Sequence, residues 1–554
     1  MRTDREHTSS PEAQPQVYDV VVVGYGGAGA CAAIAAAERG ARVLVIERFT
    51  GGGATARSGG VIYAGGGTRA QQEAGLADTP DMMFHYLARE TQGSVSASDL
   101  RAFCGKSAEL MDWIENRCGR VPGRVYRKKT TQPPIGYGLY VSGNEEQYGP
   151  GGSMNVSGQV PARGHVPSGA GMAGRRIYQA LCEEAARSGV DVRRHTRPIS
   201  LIIEDGSVTG VELLSIYNAP ARFMHRFLFA LGFVSPLARS LTSAFEEAFG
   251  TRWRVRARGG VVLCTGGFIY NRDMVKSLAS TYAGCMPLGT PGDDGSGMLL
   301  GVSAGGDLAA TDSCAASRFY APPSAFLAGM LVNARGRRFC DESLYGATVS
   351  RHIAEQPGGR AWLIIDERIR REAKRQLQDE ERLWSVPLRK ILAGEMNHLI
   401  FRKTMAWMNL SFNRKKAARI EDLAYRCRIP DSMLCESVER YNRMCARGID
   451  EDFNKNKDYL KPITDPPFYA IDCRIDSRLF PAPCITLGGL RVEISTGRVL
   501  RSDGSAVPGL YAAGRTAAGI CARSYVSGLS LADCVFTGRA AGAAAADRAK
   551  EQAR

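Results

Sequence analysis

The sequence predicts an α/β protein: a Rossmann-like nucleotide-binding domain, discontinuous in the chain, with an α+β catalytic or cap domain inserted into it. Three observations predict this. The β-branched run Tyr18-Asp19-Val20-Val21-Val22-Val23 feeds Gly24-Tyr25-Gly26-Gly27-Ala28-Gly29, the Gly-x-Gly-x-x-Gly spacing of a dinucleotide-binding turn. A second apolar run, 42–46, ends in Glu47, 18 residues after Gly29, where an acidic side chain can hold a ribose hydroxyl. The same style of segment returns near the C-terminus as Gly509-Leu510-Tyr511-Ala512-Ala513-Gly514 and an Ala-rich helix. The nucleotide-binding domain is therefore expected at 17–312 and 481–554, the inserted domain at 313–480, and a disordered tail at 1–16.

In the turn, Gly24 makes the tight bend, Gly26 lets the backbone approach a pyrophosphate, and Gly29 lets helix pack on strand. A helix is expected from Ala30 to Arg39, with the N–H groups at its start, Gly27 and Ala28 included, facing the phosphates. Arg48, beside Glu47, joins the candidate contacts. The loop 51–67 is too glycine-rich for a core element. Its position after the second strand puts Ala54, Thr55, Ser58, Gly59 and Gly60 over the bound dinucleotide, against a flat ring system.

Apolar spacing predicts helices within 80–119 and over 174–188, with irregular chain at 120–163. Strands at 190–194, 199–204 and 208–214 read as an inserted β-meander. Residues 216–258 read as an amphipathic helical hairpin broken at Gly232 and Pro236, with 7 basic and 2 acidic residues. Its apolar cluster suits either an anionic membrane surface or a helical lid or oligomer contact. A buried strand follows at 259–268, with Gly266 at its end, and then a glycine-rich turn at 289–301. Residues 367–428 carry 16 basic and 8 acidic side chains, so these two segments hold 13 of the 15 net positive charges. The final helix is expected to open at Ser530-Leu531 and run to about Arg548. Ser530, Leu531 and Gly514 then face the cofactor.

The totals narrow the function classes. The basic balance, +15 with pI near 9.2, comes with no aromatic-interleaved basic motif and no zinc-finger spacing, which argues against nucleic acid. Fifteen cysteines without a Cys-x-x-Cys pair argue against a disulfide framework, a zinc ribbon and attached haem, and predict reduced thiols in the cytoplasm. The N-terminus lacks an apolar targeting core, and no uncharged apolar run reaches transmembrane length.

Together the fingerprint, Ala54-Thr55-Ala56-Arg57-Ser58-Gly59-Gly60, Val332-Asn333-x-x-Gly336-x-Arg338-Phe339 and Gly509 to Gly514 resemble the fumarate reductase/3-ketosteroid dehydrogenase group of flavoproteins. The resemblance runs from about 17 to 545, apart from 216–258, and implies non-covalent FAD; residues 51–67 contain no histidine for covalent attachment. Fumarate reductases carry a histidine near the equivalent of Thr486-Leu487-Gly488-Gly489, whereas no histidine follows His398 here. Tyr525-Val526-Ser527-Gly528 is similar instead to the 3-oxosteroid Δ4-(5α)-dehydrogenases, which pair such a Tyr-x-Ser with a second tyrosine, here Tyr320.

The chemistry this implies needs those residue types. Forming C=C beside a ketone removes a proton from the α carbon and a hydride from the β carbon. The proton becomes acidic only when donors polarise the carbonyl oxygen. Tyr525 is the donor candidate, joined by a backbone N–H near Gly528 or Leu529; Tyr320 is the base candidate, and Ser527 the relay. The roles of the two tyrosines could be exchanged. A lipophilic steroid substrate and a quinone-type electron acceptor follow from this reading. The alternatives are an enoate reductase, which would need pocket arginines such as Arg318, Arg338 or Arg523, and a membrane-associated electron-transfer flavoprotein.

Overall fold

A computed structural model describes residues 16–127, 130, 133–149, 159–167, 173–318, 321, 323–382, 404, 406–477 and 480–554. Its centre is a sheet of nine strands among these residues. We label strands β1 (Gln16–Val23), β2 (Val43–Ile46), β3 (Asp191–Arg193), β4 (Thr196–Glu204), β5 (Ser207–Ser215), β6 (Thr251–Leu263) and β7 (Ala506–Ala512), and helices α1 (Gly27–Glu38), α2 (Ala219–Gly232), α3 (Pro236–Phe249) and α4 (Leu529–Gln552). The parallel part runs β7-β6-β1-β2-β3. Val20 to Val23 and Val43 to Ile46 are buried throughout, the continuous apolar pattern of strands covered on both faces.

Strand β6 belongs to two structures at once. Its second half, Val261–Leu263, pairs with β7, and its first half, Thr251–Arg256, pairs antiparallel with β5. Two of the three strands expected in the meander pair with each other, β4 with β5, and its third strand is β6. The segment at 190–194 does not join it: β3 pairs in parallel with β2 as an edge of the main sheet.

The sequence expectation for 216–258 holds for its first part. Helices α2 and α3 form the hairpin, broken between Gly232 and Pro236. From Thr251 onward, however, the chain is strand. Arg252, Arg254, Arg256 and Arg258 are exposed and alternate with buried Trp253, Val255 and Ala257. A period of two places the arginines on one face of β6, so four of the seven basic residues belong to the sheet rather than the helices.

Helix α4 packs along α1. A Cβ on Gly538 or Gly542 would lie 2.6 or 2.0 Å from the carbonyl oxygens of Ala28 and Ala32. Both helices start slightly earlier than expected, at Gly27 and Leu529, and Gln16 already pairs in β1. The rest of the predicted tail lies outside the described residues.

Between 313 and 480 the chain builds an antiparallel four-stranded sheet in the order Met330–Asn333, Ala361–Ile365, Phe468–Asp472, Arg414–Ala417. Helices Gly346–Ala354, Glu367–Arg382, Ile420–Cys427 and Asp431–Arg447 accompany it. The sheet and helices share a second apolar core, to which Phe268, Ile269, Tyr282 and Met298 from the preceding segment also belong. Arg338, in the Val332–Phe339 motif, is buried between Glu342 and Asp450, at 2.8 Å from each.

Candidate active site

The dinucleotide turn has the shape its glycines predict. Gly24 has φ +101°, and a Cβ on Gly29 would sit 1.9 Å from its carbonyl oxygen, so strand end and helix start touch as backbone. Gly26 is different: a Cβ there would meet nothing within 4 Å. The missing side chain leaves open space directly before the α1 N-terminus, where the N-cap glycine has no side chain to cap the helix. That concavity, with the helix-terminal N–H groups that follow Gly27 behind it, fits a pyrophosphate.

The surrounding residues are fixed to one another. Glu47 folds back under the turn and accepts the N–H groups of Tyr25 at 2.9 Å and Phe49 at 2.8 Å. Thr55 accepts the Gly27 N–H at 3.1 Å. Ser58 donates to the Thr55 carbonyl and accepts from Gly60, while the Gly59 carbonyl accepts from Ala173. Gly27, Thr55 and Leu531 line one pocket with Ile62 and Cys534. Ala54 is half-buried on the same short helix as Thr55, Gly53–Arg57. Gly514, whose N–H is held by Thr537 at 3.0 Å, lies against Ala28. Gly266 donates to Thr516 at 3.0 Å. Ser530 is half-buried in the first turn of α4.

Arg48 points elsewhere. Its guanidinium holds Glu246 at 2.7 Å, Asp294 at 2.7 Å and Ser243 at 3.1 Å, anchoring α3 to the loop after β2. Burial alone would raise the Glu246 pKa, but Arg48 and His225 hold it down to about 2.

A second group of side chains gathers where the chain enters α4. The Ser527 hydroxyl lies 3.0 Å from that of Tyr140, and its influence opposes the rise that burial causes in the Tyr345 pKa. The Tyr345 and Tyr525 rings lie 6.4 Å apart. Gly528, at φ +93°, caps the helix without a side chain and accepts the Tyr63 N–H at 3.1 Å through its carbonyl. The Ser527 N–H donates to Ser142 at 3.2 Å, which ties this corner to the segment following Tyr140. Burial pushes the Tyr525 phenol up to about 12, with Cys521 adding to it and Arg515 and the Gly528 backbone opposing. Burial raises Tyr140 and Tyr345 as well. All three phenols are therefore protonated near neutral pH and have a proton to donate.

Sequence reasoning found Tyr525 and Ser527 but missed Tyr140 and Tyr345. Tyr140 lies in the stretch read as irregular, and Tyr345 precedes the helix Gly346–Ala354. No spacing links either to Ser527. Tyr320, the base candidate, lies outside the described residues.

Behind this corner is a buried polar network. Glu145 accepts from Tyr63 at 2.8 Å and from the Gly143 N–H at 3.0 Å. Glu90 accepts from Tyr86 and from the Asn144 amide, each at 2.7 Å. Arg163 and Asp78 form a fully buried pair at 2.7 Å. Burial raises Glu145 to about 7 and raises Glu90 too.

Two of the three arginines named for an enoate reductase are engaged elsewhere in the fold. Besides Arg338, Arg318 is buried and donates to the Arg474 carbonyl. Arg523 is exposed, 3.7 Å from Asp312. The fifteen cysteines are all free thiols. Among the described residues no helix is long and apolar enough to cross a membrane.

Comparison with known proteins places this geometry among flavoproteins. The family model described as "FAD binding domain" matches residues 19–528. The chain is 33% identical over 508 residues to a 3-oxo-5-alpha-steroid 4-dehydrogenase of Comamonas testosteroni, covering 90% of this chain and 92% of the relative. It is 25% identical over 544 residues to a cytochrome-type fumarate reductase of Shewanella frigidimarina, covering 96% and 78%. Among solved structures it is similar to 3-ketosteroid-delta4-(5alpha)-dehydrogenase from Rhodococcus jostii RHA1 in complex with 4-androstene-3,17-dione. There the TM-score is 0.77 at 30% identity, over 98% of this chain and 99% of that one.

Proposed function

The chain belongs to the FAD binding domain family, as an FAD-dependent oxidoreductase of the fumarate reductase/3-ketosteroid dehydrogenase superfamily, and on that premise we propose that it introduces a C=C bond α,β to the ketone of a 3-ketosteroid, with Δ4-(5α) preferred over Δ1. The observation that carries the reading is the cluster of Tyr525, Ser527, Tyr140 and Tyr345 at the start of α4. Gly24 to Gly29, Glu47, Thr55, Ser58 to Gly60, Gly266 and Gly514 hold the FAD. Bound there, FAD supplies a two-electron acceptor for the hydride that leaves the β carbon.

The chain's own residues handle the carbonyl and the proton. Tyr525, kept protonated by burial, donates to the ketone oxygen, and its bond becomes stronger as negative charge develops there. Tyr320 takes the α proton. An ordinary phenol is a poor base, so it needs help from its surroundings. Ser527, whose hydroxyl lies 3.0 Å from that of Tyr140, passes the proton on. The start of α4 places its positive dipole end at the same corner, where developing anionic charge is stabilised. With one dinucleotide fingerprint in the chain, the electrons leave to an acceptor other than a nicotinamide, and a quinone is the class we propose.

Anaerobic addition of a 5α-3-ketosteroid to the yellow holoprotein tests this. Bleaching of the flavin band is expected. Bleaching only by reduced dyes, reversed by fumarate, would establish the enoate reductase reading instead. No bleaching by either would leave the electron-transfer reading. Tyr320→Phe should retain flavin and lose the bleaching.

A further inference from the structure

The α2–α3 hairpin exposes more apolar surface than its position in a folded domain requires. Phe223, Phe227 and Leu231 recur at four-residue spacing along α2, and Leu237 and Leu241 do so on α3; Val234 sits at the connecting tip. Phe223 is 71% exposed, Val234 83% and Leu237 68%. Single exposed apolar residues are ordinary, but five on two adjoining helices and a sixth at the tip between them form a face. The opposite sides of the helices are built in: His225 and Glu246 are buried and hydrogen-bonded at 2.9 Å, and Phe49 stacks on Phe229 at 4.1 Å. The hairpin therefore has a committed underside and an uncommitted top.

Charge selects the occupant. From 216 to 245 there is no acidic residue, while Arg222, Arg226 and Arg239 lie on the two helices. A second protein copy would bring the same cations against these, whereas a surface carrying phosphates complements them. An amphipathic element with an apolar face and basic neighbours fits the boundary between lipid headgroups and acyl chains. Because Arg48 ties α3 to the loop after Glu47, a bilayer seated here would hold the adenosine end of the cofactor domain at its surface.

We propose that the top of the α2–α3 hairpin is a binding face for an anionic phospholipid bilayer. This stands independently of the substrate reading. The test uses full-length holoprotein sedimented with phosphatidylcholine vesicles, with and without phosphatidylglycerol. Wild type is expected to sediment with the phosphatidylglycerol vesicles and to be released by salt. The triple variant Phe223→Ser/Phe227→Ser/Val234→Ser should lose binding about tenfold or more, and Arg226→Glu should lose it selectively for phosphatidylglycerol. The triple variant should retain flavin absorbance and circular dichroism, since Phe223, Phe227 and Val234 are exposed. Equal sedimentation of wild type and the triple variant would overturn the proposal. So would a wild-type dimer in light scattering that the triple variant dissociates while neither form binds vesicles.

Discussion

The hydroxyls of Tyr140 and Ser527 lie 3.0 Å apart although 387 residues separate them in the chain. One comes from the strand Leu139–Tyr140 of a small four-stranded sheet, the other from the entrance of α4. Their contact is made only when the parts of the nucleotide-binding domain have closed on each other, so the Tyr-x-Ser segment is positioned by residues remote in sequence.

Tyr140→Phe should lower turnover by about two- to tenfold, the worth of one neutral hydrogen bond, without releasing FAD. Tyr345→Phe should act in the same direction. In the double variant both phenol hydroxyls are removed from the Ser527 corner, and the losses should be less than multiplicative if both act through that one hydroxyl. Stopped-flow flavin reduction in the two single variants and the double variant measures this.

Tyr525→Phe removes a donor rather than its orientation. Reduction by substrate should slow by about a hundred- to a thousandfold, the usual cost of one carbonyl donor. Flavin content and melting temperature should be unchanged, since the half-buried ring is retained.

Gly26→Ala and Gly29→Ala separate binding from folding. A methyl at Gly26 meets no protein atom, and the backbone there is at φ −92°, open to any residue. That variant should fold and purify colourless or weakly yellow. A methyl at Gly29 would stand 1.9 Å from the Gly24 carbonyl, so this variant should lose about 1–3 kcal/mol of stability or fail to accumulate. Flavin absorbance per protein and urea unfolding read the two effects.

Glu145 makes stability depend on pH. Burial raises its pKa to about 7, from an ordinary 4.5. Between these values the folded chain keeps a proton that the unfolded chain has released. Stability therefore falls as pH rises from about 4.5 to about 7, by roughly 3 kcal/mol from this group. Glu145→Gln should flatten that slope and be relatively more stable at pH 8 than at pH 5. Denaturant unfolding at the two pH values compares them.

The cofactor cradle was legible in the sequence because its signals are local: three glycines, one acid and an adjoining strand fall within 30 residues. Arg48 shows the limit of that logic. It sits beside Glu47 in the chain, yet its charge is drawn to Glu246 and Asp294, about two hundred residues on. The basic run 252–258 was misplaced for another reason. A count of charges does not register that every second residue is apolar, and that alternation makes the segment a strand of the main sheet. Tyr140 and Tyr345 could not be read at all, since their meeting with Ser527 depends on tertiary closure.

The packing of α4 against α1, with backbone at Gly538 and Gly542 close to Ala28 and Ala32, has a consequence for biosynthesis. Helix α1 is covered by α4, a segment made much later in translation. Until α4 has emerged, α1 has its Ala-rich flank bare, and until Gly514 has been made the glycine turn lacks that neighbour. The cradle is therefore assembled well after synthesis of the fingerprint itself.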